Sequence, residues 1–373
     1  MSHADTDVNE RLAAVTAAGT SVWLDQISRG LIHRGDLASM VAAYSLRGLT
    51  SNPAIFEKAI LGDDAYDAYD DQIAELVKEG ADARAIYQAI AIRDVQDAAD
   101  ILATVYDESD GTDGFVSLEV DPDLAHDSGQ TIEQAREYWR RVDRPNLMIK
   151  IPGTDAGLGP IRTAISEGIN VNVTLLFSVE AYTTVTEAFI AGLEDRQAAG
   201  QSLDVQSVAS FFVSRVDTEV DGRLEDLGHD ELAGKAGLAN ARAAYQRFQE
   251  IFHGERFAAL SAAGAPAQRP LWASTGTKNP AYPPTLYVDG LVGPQTVNTM
   301  PMATLKAAAD QTEVDPSHPT VQIDPSEDLQ RLADAGIDMQ DVTRKLLDDG
   351  ITAFVTPMQS LLAGIERKRD ELA

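Results

Sequence analysis

Lys150 lies inside the apolar run Leu147-Met148-Ile149-Lys150-Ile151, which stops at Pro152-Gly153. Such a run reads as a buried strand ending in a turn. Lysine is almost never fully buried unless a partner or a reaction uses it. A desolvated amine gives up its proton more readily and becomes a nucleophile, the usual route to a Schiff base with a carbonyl substrate. That chemistry also needs proton donors and acceptors around the carbinolamine, and polar groups to hold the substrate.

Candidates for those tasks stand on other short runs. Side chains alternate across a strand, so parity separates two faces. In NLMIKI, Leu147, Ile149 and Ile151 face away from Met148 and Lys150. In GFVSLEV, Phe115, Ser117 and Glu119 oppose Val116, Leu118 and Val120. In INVNVTLLF, Asn170, Asn172 and Thr174 oppose Val171, Val173 and Leu175. In VWLD, Trp23 and Asp25 oppose Val22 and Leu24, and VASFFVS sets Val208, Ser210, Phe212 and Ser214 against Ala209, Phe211 and Val213.

Taken alone, each polar residue has a plainer reading. Asp25 or Ser210 at a strand end suits a helix N-cap or turn, and a single Glu or Lys suits a solvated edge. A solvated face does not explain the aliphatic residues that alternate with them. Two acids, an amine and two amides turned inward need one another, because an isolated buried charge costs several kcal/mol. The joint reading is a site. Lys150 would be its nucleophile, Glu119 would shuttle protons through a water shared with Thr174, and Asp25 would take the hydroxyl proton whose loss breaks a carbon–carbon bond. Asn52 and Asn172 would hold the reacting fragment without adding charge. An anionic substrate would need cations: Arg215 follows the sixth run, and Ser274, Gly276 and Lys278 lie in ASTGTKNPAY after the seventh. Read alone, Arg215 fits a surface ion pair equally well.

The elements that must position these residues recur along the chain. Strand-like runs fall at 21–25, 45–51, 114–120, 146–151, 169–177, 205–214, 270–274 and 296–301, with helical patterns at 85–107, 131–142 and 179–200 between them. Alternating strands and helices imply a parallel sheet. Roughly eight such units imply a closed (β/α)8 TIM barrel, an α/β fold whose active sites lie at the C-terminal ends of the strands. An open doubly wound sheet would show a Gly-rich nucleotide loop after the first strand, and none follows VWLD. The reading is one domain over 1–373, with a barrel core at about 20–305 and several helices at about 53–107. A helical extension at about 325–373 is expected outside the barrel or across one mouth.

Composition narrows the partners. The chain of 373 residues carries 59 acids against 30 Lys and Arg, a formal net charge of −29, and no cysteine. Such acidity argues against nucleic acid or an anionic membrane as partner. The lack of cysteine removes disulfides, thiolate metal sites and a Cys nucleophile. The six histidines show no HExxH or paired spacing, so no metal is expected. DESDGTDG (107–114) resembles a calcium loop, but its twelfth place is Leu118, and it reads as a solvated turn. The N-terminus MSHADTDVNE has no basic and apolar export pattern, which points to a cytoplasmic protein. No cofactor motif occurs. Tyr182, Phe189, Tyr245 and Phe248 sit at helical spacing and read as core.

The segments WLDQISR, LTSNPAIF, SLEVDP, MIKIPGT, NVNVTLLFS, ASFFVSRVD, WASTGTKNPAY and TVNTMP resemble, in order, those of transaldolases of the longer, actinobacterial-type branch. The resemblance implies a cofactor-free class I enzyme of the non-oxidative pentose phosphate pathway on a (β/α)8 barrel. Such enzymes move a dihydroxyacetone unit from sedoheptulose 7-phosphate or fructose 6-phosphate to glyceraldehyde 3-phosphate or erythrose 4-phosphate. It implies Lys150 as the Schiff-base lysine, Glu119 and Thr174 on the catalytic water, and Asp25 as acid/base at the C4 hydroxyl. Asn52, Asn172 and Ser210 would bind the dihydroxyacetone moiety, Thr50 and Phe212 would line it, and Arg215 would hold phosphate. Better-known transaldolases place a second arginine shortly after the serine matching Ser274; here that segment offers Lys278. A monomer or homodimer is expected. A Schiff-base aldolase that releases its fragment is the neighbouring reading, and a barrel that only binds a phosphosugar is a third.

Overall fold

A computed structural model describes residues 8–62 and 69–372; most of the N-terminal segment read for export signals lies outside them. Eight strands among the described residues form a closed, all-parallel barrel in sequence order. They are β1 (Thr20–Leu24), β2 (Leu46–Leu49), β3 (Phe115–Glu119), β4 (Leu147–Pro152), β5 (Val171–Leu176), β6 (Ser207–Phe212), β7 (Arg269–Ala273) and β8 (Thr296–Met300). Each falls within an expected run or overlaps it. The helices expected at 85–107, 131–142 and 179–200 are Ala83–Glu108, Ser128–Val142 and Val179–Ala198. Their N-caps Asp82, Asp127 and Ser178 accept backbone N–H groups of the first turn, which gives each helix a defined start.

Parity divides the barrel as the alternation implies. Val22, Leu24, Ile149, Ile151, Val171, Val173 and Phe211 join the layer between strands and helices. Trp23, Phe115, Met148, Val208, Leu271 and Val297 fill the interior. Trp23 needs a neighbour without a side chain: a Cβ on Gly48 of β2 would stand 2.5 Å from its indole. Tyr182, Phe189, Tyr245 and Phe248 are buried in the outer core.

Two local readings are corrected. Leu175 belongs with the interior group, not with Val171 and Val173. Its backbone adopts φ 62°, and the β5–β6 register shifts between Val173 and Leu176, so a bulge turns it over. The turn 107–114 is not wholly solvated. Asp113 is buried at the N-terminal end of the barrel, where it accepts hydrogen bonds from Trp23 Nε1 (2.9 Å) and Ser21 Oγ and faces Arg269 at 3.5 Å.

The C-terminal extension is helical, as Ser326–Asp334 and Met339–Leu372. The second helix runs over the C-terminal side of the barrel, touching β5, the turn after β3, and helices Pro53–Leu61 and Ser214–Leu227. Gly350 permits that approach, since a Cβ there would stand 3.1 Å from Leu175 and 3.3 Å from Phe177. No helix among the described residues is long and apolar enough to cross a membrane.

Candidate active site

A cavity of about 170 Å³ opens at the C-terminal ends of the strands. Strand register assembles its floor. Glu119 on β3 pairs with Lys150 on β4, and Lys150 pairs with Asn172 on β5, so the three stand in one row. Lys150 is 4% exposed; its Nζ lies 3.5 Å from Glu119 Oε2 and donates to the Ser51 carbonyl at 3.2 Å. Glu119 is buried, and apart from that ion pair neither of its oxygens has a hydrogen-bond partner among the described residues; Thr174 Oγ1 also has none there. Buried polar atoms are rarely left so. Here they sit beside the amine.

Burial pushes the Glu119 carboxyl up to about 7, against the pull of the Lys150 charge. It can therefore give or take a proton near neutral pH. Asp25, just past β1, is also raised, again by burial, with Lys150, Thr50, Arg215 and Lys278 opposing. Asp25 does not cap the helix that follows, a task done by Ser28. Its Oδ1 accepts from Thr50 Oγ1 at 2.6 Å. Thr50 also lies 2.6 Å from Thr299 Oγ1 on β8. Because Thr50 has one hydroxyl proton and gives it to Asp25, Thr299 must donate to Thr50.

Asn172 is oriented on both sides: its Nδ2 donates to Ser117 Oγ at 3.0 Å, and its Oδ1 accepts from Ser210 Oγ at 2.7 Å. Asn52 serves two ends. Its Oδ1 caps helix Pro53–Leu61 through Ile55 N, while the residue also lines the cavity.

The cations stand at the start of helix Ser214–Leu227 and on the β7–β8 connection. Arg215 lines the cavity with its guanidinium 5.3 Å from the centre of the Phe212 ring, so the surface ion-pair reading does not hold. Lys278 lines it from the β7–β8 connection and is exposed. Ser274 joins it with φ 56°, its Oγ 2.8 Å from Ser214 Oγ. The helix that carries Arg215 is tied to the β7–β8 connection: Tyr287 donates to Asp217 at 2.7 Å and Tyr282 to Asp221 at 2.6 Å.

Of the residues expected in the site, Asp25, Thr50, Asn52, Lys150, Ser210 and Phe212 line the cavity, as do Arg215, Ser274 and Lys278. Glu119 and Asn172 lie against these through Lys150 and Ser210. Thr174 is buried on β5, two residues beyond Asn172 on the same face. Four lining residues had escaped attention: Ala273, Thr299, Pro301 and Phe354. Thr299 carried a usable signal, because it shares the inward parity of Val297 on β8. Phe354, on the C-terminal helix, carried none. Among the described residues no cluster of His, Cys, Asp and Glu could hold a metal ion.

A buried strand lysine at a barrel mouth, paired with an acid and faced by two cations, is a constellation with known relatives. Residues 22–365 match the family model described as transaldolase/fructose-6-phosphate aldolase. The chain belongs to that family. It is 51% identical over 367 residues to a transaldolase of Mycolicibacterium smegmatis, covering 97% of this chain and 98% of that one. It is 48% identical to the transaldolase of Saccharopolyspora erythraea, covering 97% and 99%, and 48% identical to that of Mycobacterium marinum, covering 98% and 99%. The transaldolase match thus runs through the C-terminal helix as well as the barrel.

Proposed function

We propose that this protein is a transaldolase. It transfers a dihydroxyacetone unit from sedoheptulose 7-phosphate or fructose 6-phosphate to glyceraldehyde 3-phosphate or erythrose 4-phosphate in the pentose phosphate pathway. The observation that carries the reading is Lys150, buried in the barrel mouth beside a Glu119 whose oxygens are otherwise unpartnered. The Lys150 amine adds to the ketose carbonyl, and the carbinolamine loses water to give an iminium. Glu119, titrating near neutrality, supplies and recovers the protons of that dehydration. A water held between its carboxylate and Thr174 Oγ1 would satisfy the unpartnered oxygens.

Asp25 removes the proton of the C4 hydroxyl, and the C3–C4 bond breaks to release the aldose phosphate. The Thr50 bond occupies one Asp25 oxygen and leaves the other for the substrate. The fragment stays on Lys150 as an enamine, attacks the acceptor aldehyde, and the steps run in reverse. Asn52, Asn172 and Ser210 hold its hydroxyls, and Phe212 bounds it. Arg215 and Lys278, with Ser274, take the phosphate; Lys278 acts as a point charge where an arginine would offer a planar fork. These groups fix the substrate on both sides of the scissile bond, which is where orientation lowers the barrier. The enzyme works in the cytoplasm and needs no cofactor.

The test is borohydride reduction in the presence of fructose 6-phosphate, followed by peptide mass mapping. A reduced three-carbon adduct is expected on the Lys150 peptide, absent in Lys150→Ala, and drained by erythrose 4-phosphate added before the borohydride. An adduct on another lysine, or none, would overturn the assignment. An adduct that the acceptor does not drain would make the protein an aldolase.

A further inference from the structure

The C-terminal helix Met339–Leu372 places one aromatic ring against the nucleophile. Phe354 lines the cavity, is 5% exposed, and has its ring centre 5.4 Å from Lys150 Nζ. No strand or barrel loop contributes it. Its helix buries a stripe made of Phe354, Met358, Leu361 and Ile365, and it is braced near the cavity by Leu175 and Phe177 below Gly350. Arg223 pairs with Asp341 at 2.8 Å, and Lys345 with Glu219 at 3.0 Å, which hold the helix to the one that carries Arg215. The bulged Leu175 is turned inward to serve this contact.

We propose that Phe354 is the ceiling that decides the fate of the fragment on Lys150, making the enzyme a transferase by keeping bulk water, and with it a proton source, away from the enamine carbon. This rests on the Schiff-base reading above. The enamine has two outcomes. Its carbon can attack the acceptor aldehyde, forming the new carbon–carbon bond. Alternatively that carbon takes a proton, water adds to the resulting iminium carbon, and the carbon–nitrogen bond breaks. The second route consumes one water in total, releases dihydroxyacetone and returns the free amine. An apolar ring over Nζ hinders the step peculiar to the second route, protonation of the enamine carbon, because it neither donates a proton nor binds water; the hydrolysis that ends transfer draws on the water between Glu119 and Thr174. The cations that draw the acceptor phosphate, Arg215 at the start of the helix after β6 and Lys278 after β7, line the same cavity from other elements than the ring.

The experiment compares wild type with Phe354→Ala, Phe354→Gln and Phe354→Met, using fructose 6-phosphate with erythrose 4-phosphate. Free dihydroxyacetone and sedoheptulose 7-phosphate are both quantified, and the Lys150 adduct is trapped in parallel. For Phe354→Ala the ratio of released to transferred fragment should rise on the order of tenfold. Phe354→Gln, of similar length but polar, should raise it too, and Phe354→Met should stay near wild type. If Phe354→Ala does not fold, the Gln and Met variants carry the comparison. An unchanged ratio with the adduct still formed would overturn the proposal and leave Phe354 as packing for its helix. Absence of the adduct in wild type would instead overturn the Schiff-base reading beneath it.

Discussion

At the N-terminal end of the barrel, Asp113 accepts from Ser21 and Trp23 and faces Arg269, which itself donates to Ser21 at 2.9 Å and to the Thr112 carbonyl at 2.6 Å. At the C-terminal end, Glu119 is just as deeply placed, yet among the described residues its only partner is Lys150 at 3.5 Å, and nearby Thr174 has none. Both ends bury charge inside one closed sheet. The first satisfies its polar atoms and closes the barrel; the second leaves them open around a nucleophile. A buried polar group without partners costs stability, and such strain collects where chemistry is done. The contrast teaches which end holds the structure and which end reacts.

Exchanging the two losses tests that contrast most strongly. Lys150→Ala should lower transfer activity by about 10⁴-fold or more while leaving the urea midpoint near wild type. Asp113→Ala should do the reverse, costing about 3 kcal/mol of stability by leaving the buried Trp23 N–H without its acceptor and removing the carboxylate that faces Arg269, with kcat/KM at 25 °C held within about twofold. Should Asp113→Ala abolish activity in the folded protein, the division between the ends would be wrong.

Glu119→Gln gives an intermediate effect with a pH signature. Activity should fall about 10²- to 10³-fold. Folded Glu119 keeps its proton up to about pH 7, whereas the unfolded chain releases it near ~4.3. The native state therefore binds the extra proton, and this group's contribution to stability declines as pH rises from about 4.3 to about 7. Glu119→Gln should remove that decline, so its melting temperature should gain on wild type across this interval and run parallel above it. A constant offset at all pH values would mean that Glu119 ionises normally.

The smallest change is expected at Thr299. Thr299→Val removes the donor behind Thr50, and kcat/KM should fall about three- to tenfold through looser placement of Asp25. The reduced six-carbon adduct, the uncleaved fructose 6-phosphate on Lys150, should form as fast as in wild type while the three-carbon adduct builds up more slowly, since the loss acts on carbon–carbon cleavage rather than on imine formation. Slower six-carbon adduct formation in step with turnover would place Thr299 elsewhere in the reaction.

What the sequence by itself determined is what depends on short range. Side-chain alternation has a period of two, so a few residues suffice to tell which way Lys150, Glu119, Asn172 and Ser210 point once a run is known to be a strand. The repeated strand–helix units led to the closed barrel, and the barrel brings those strand ends together. The same locality explains the failures. Parity put Leu175 outside because nothing in INVNVTLLF announces a bulge, and 107–114 read as a solvated turn because Asp113's partners lie on β1 and β7. Asn52 was both the helix cap and a cavity residue, a double use that spacing could not separate. Only the tertiary structure decided that a helix beginning at Met339 returns over the mouth and lays Phe354 against Lys150. That contact joins residues far apart in the chain, and its energy comes from apolar surface buried between elements, which no local pattern in either segment records.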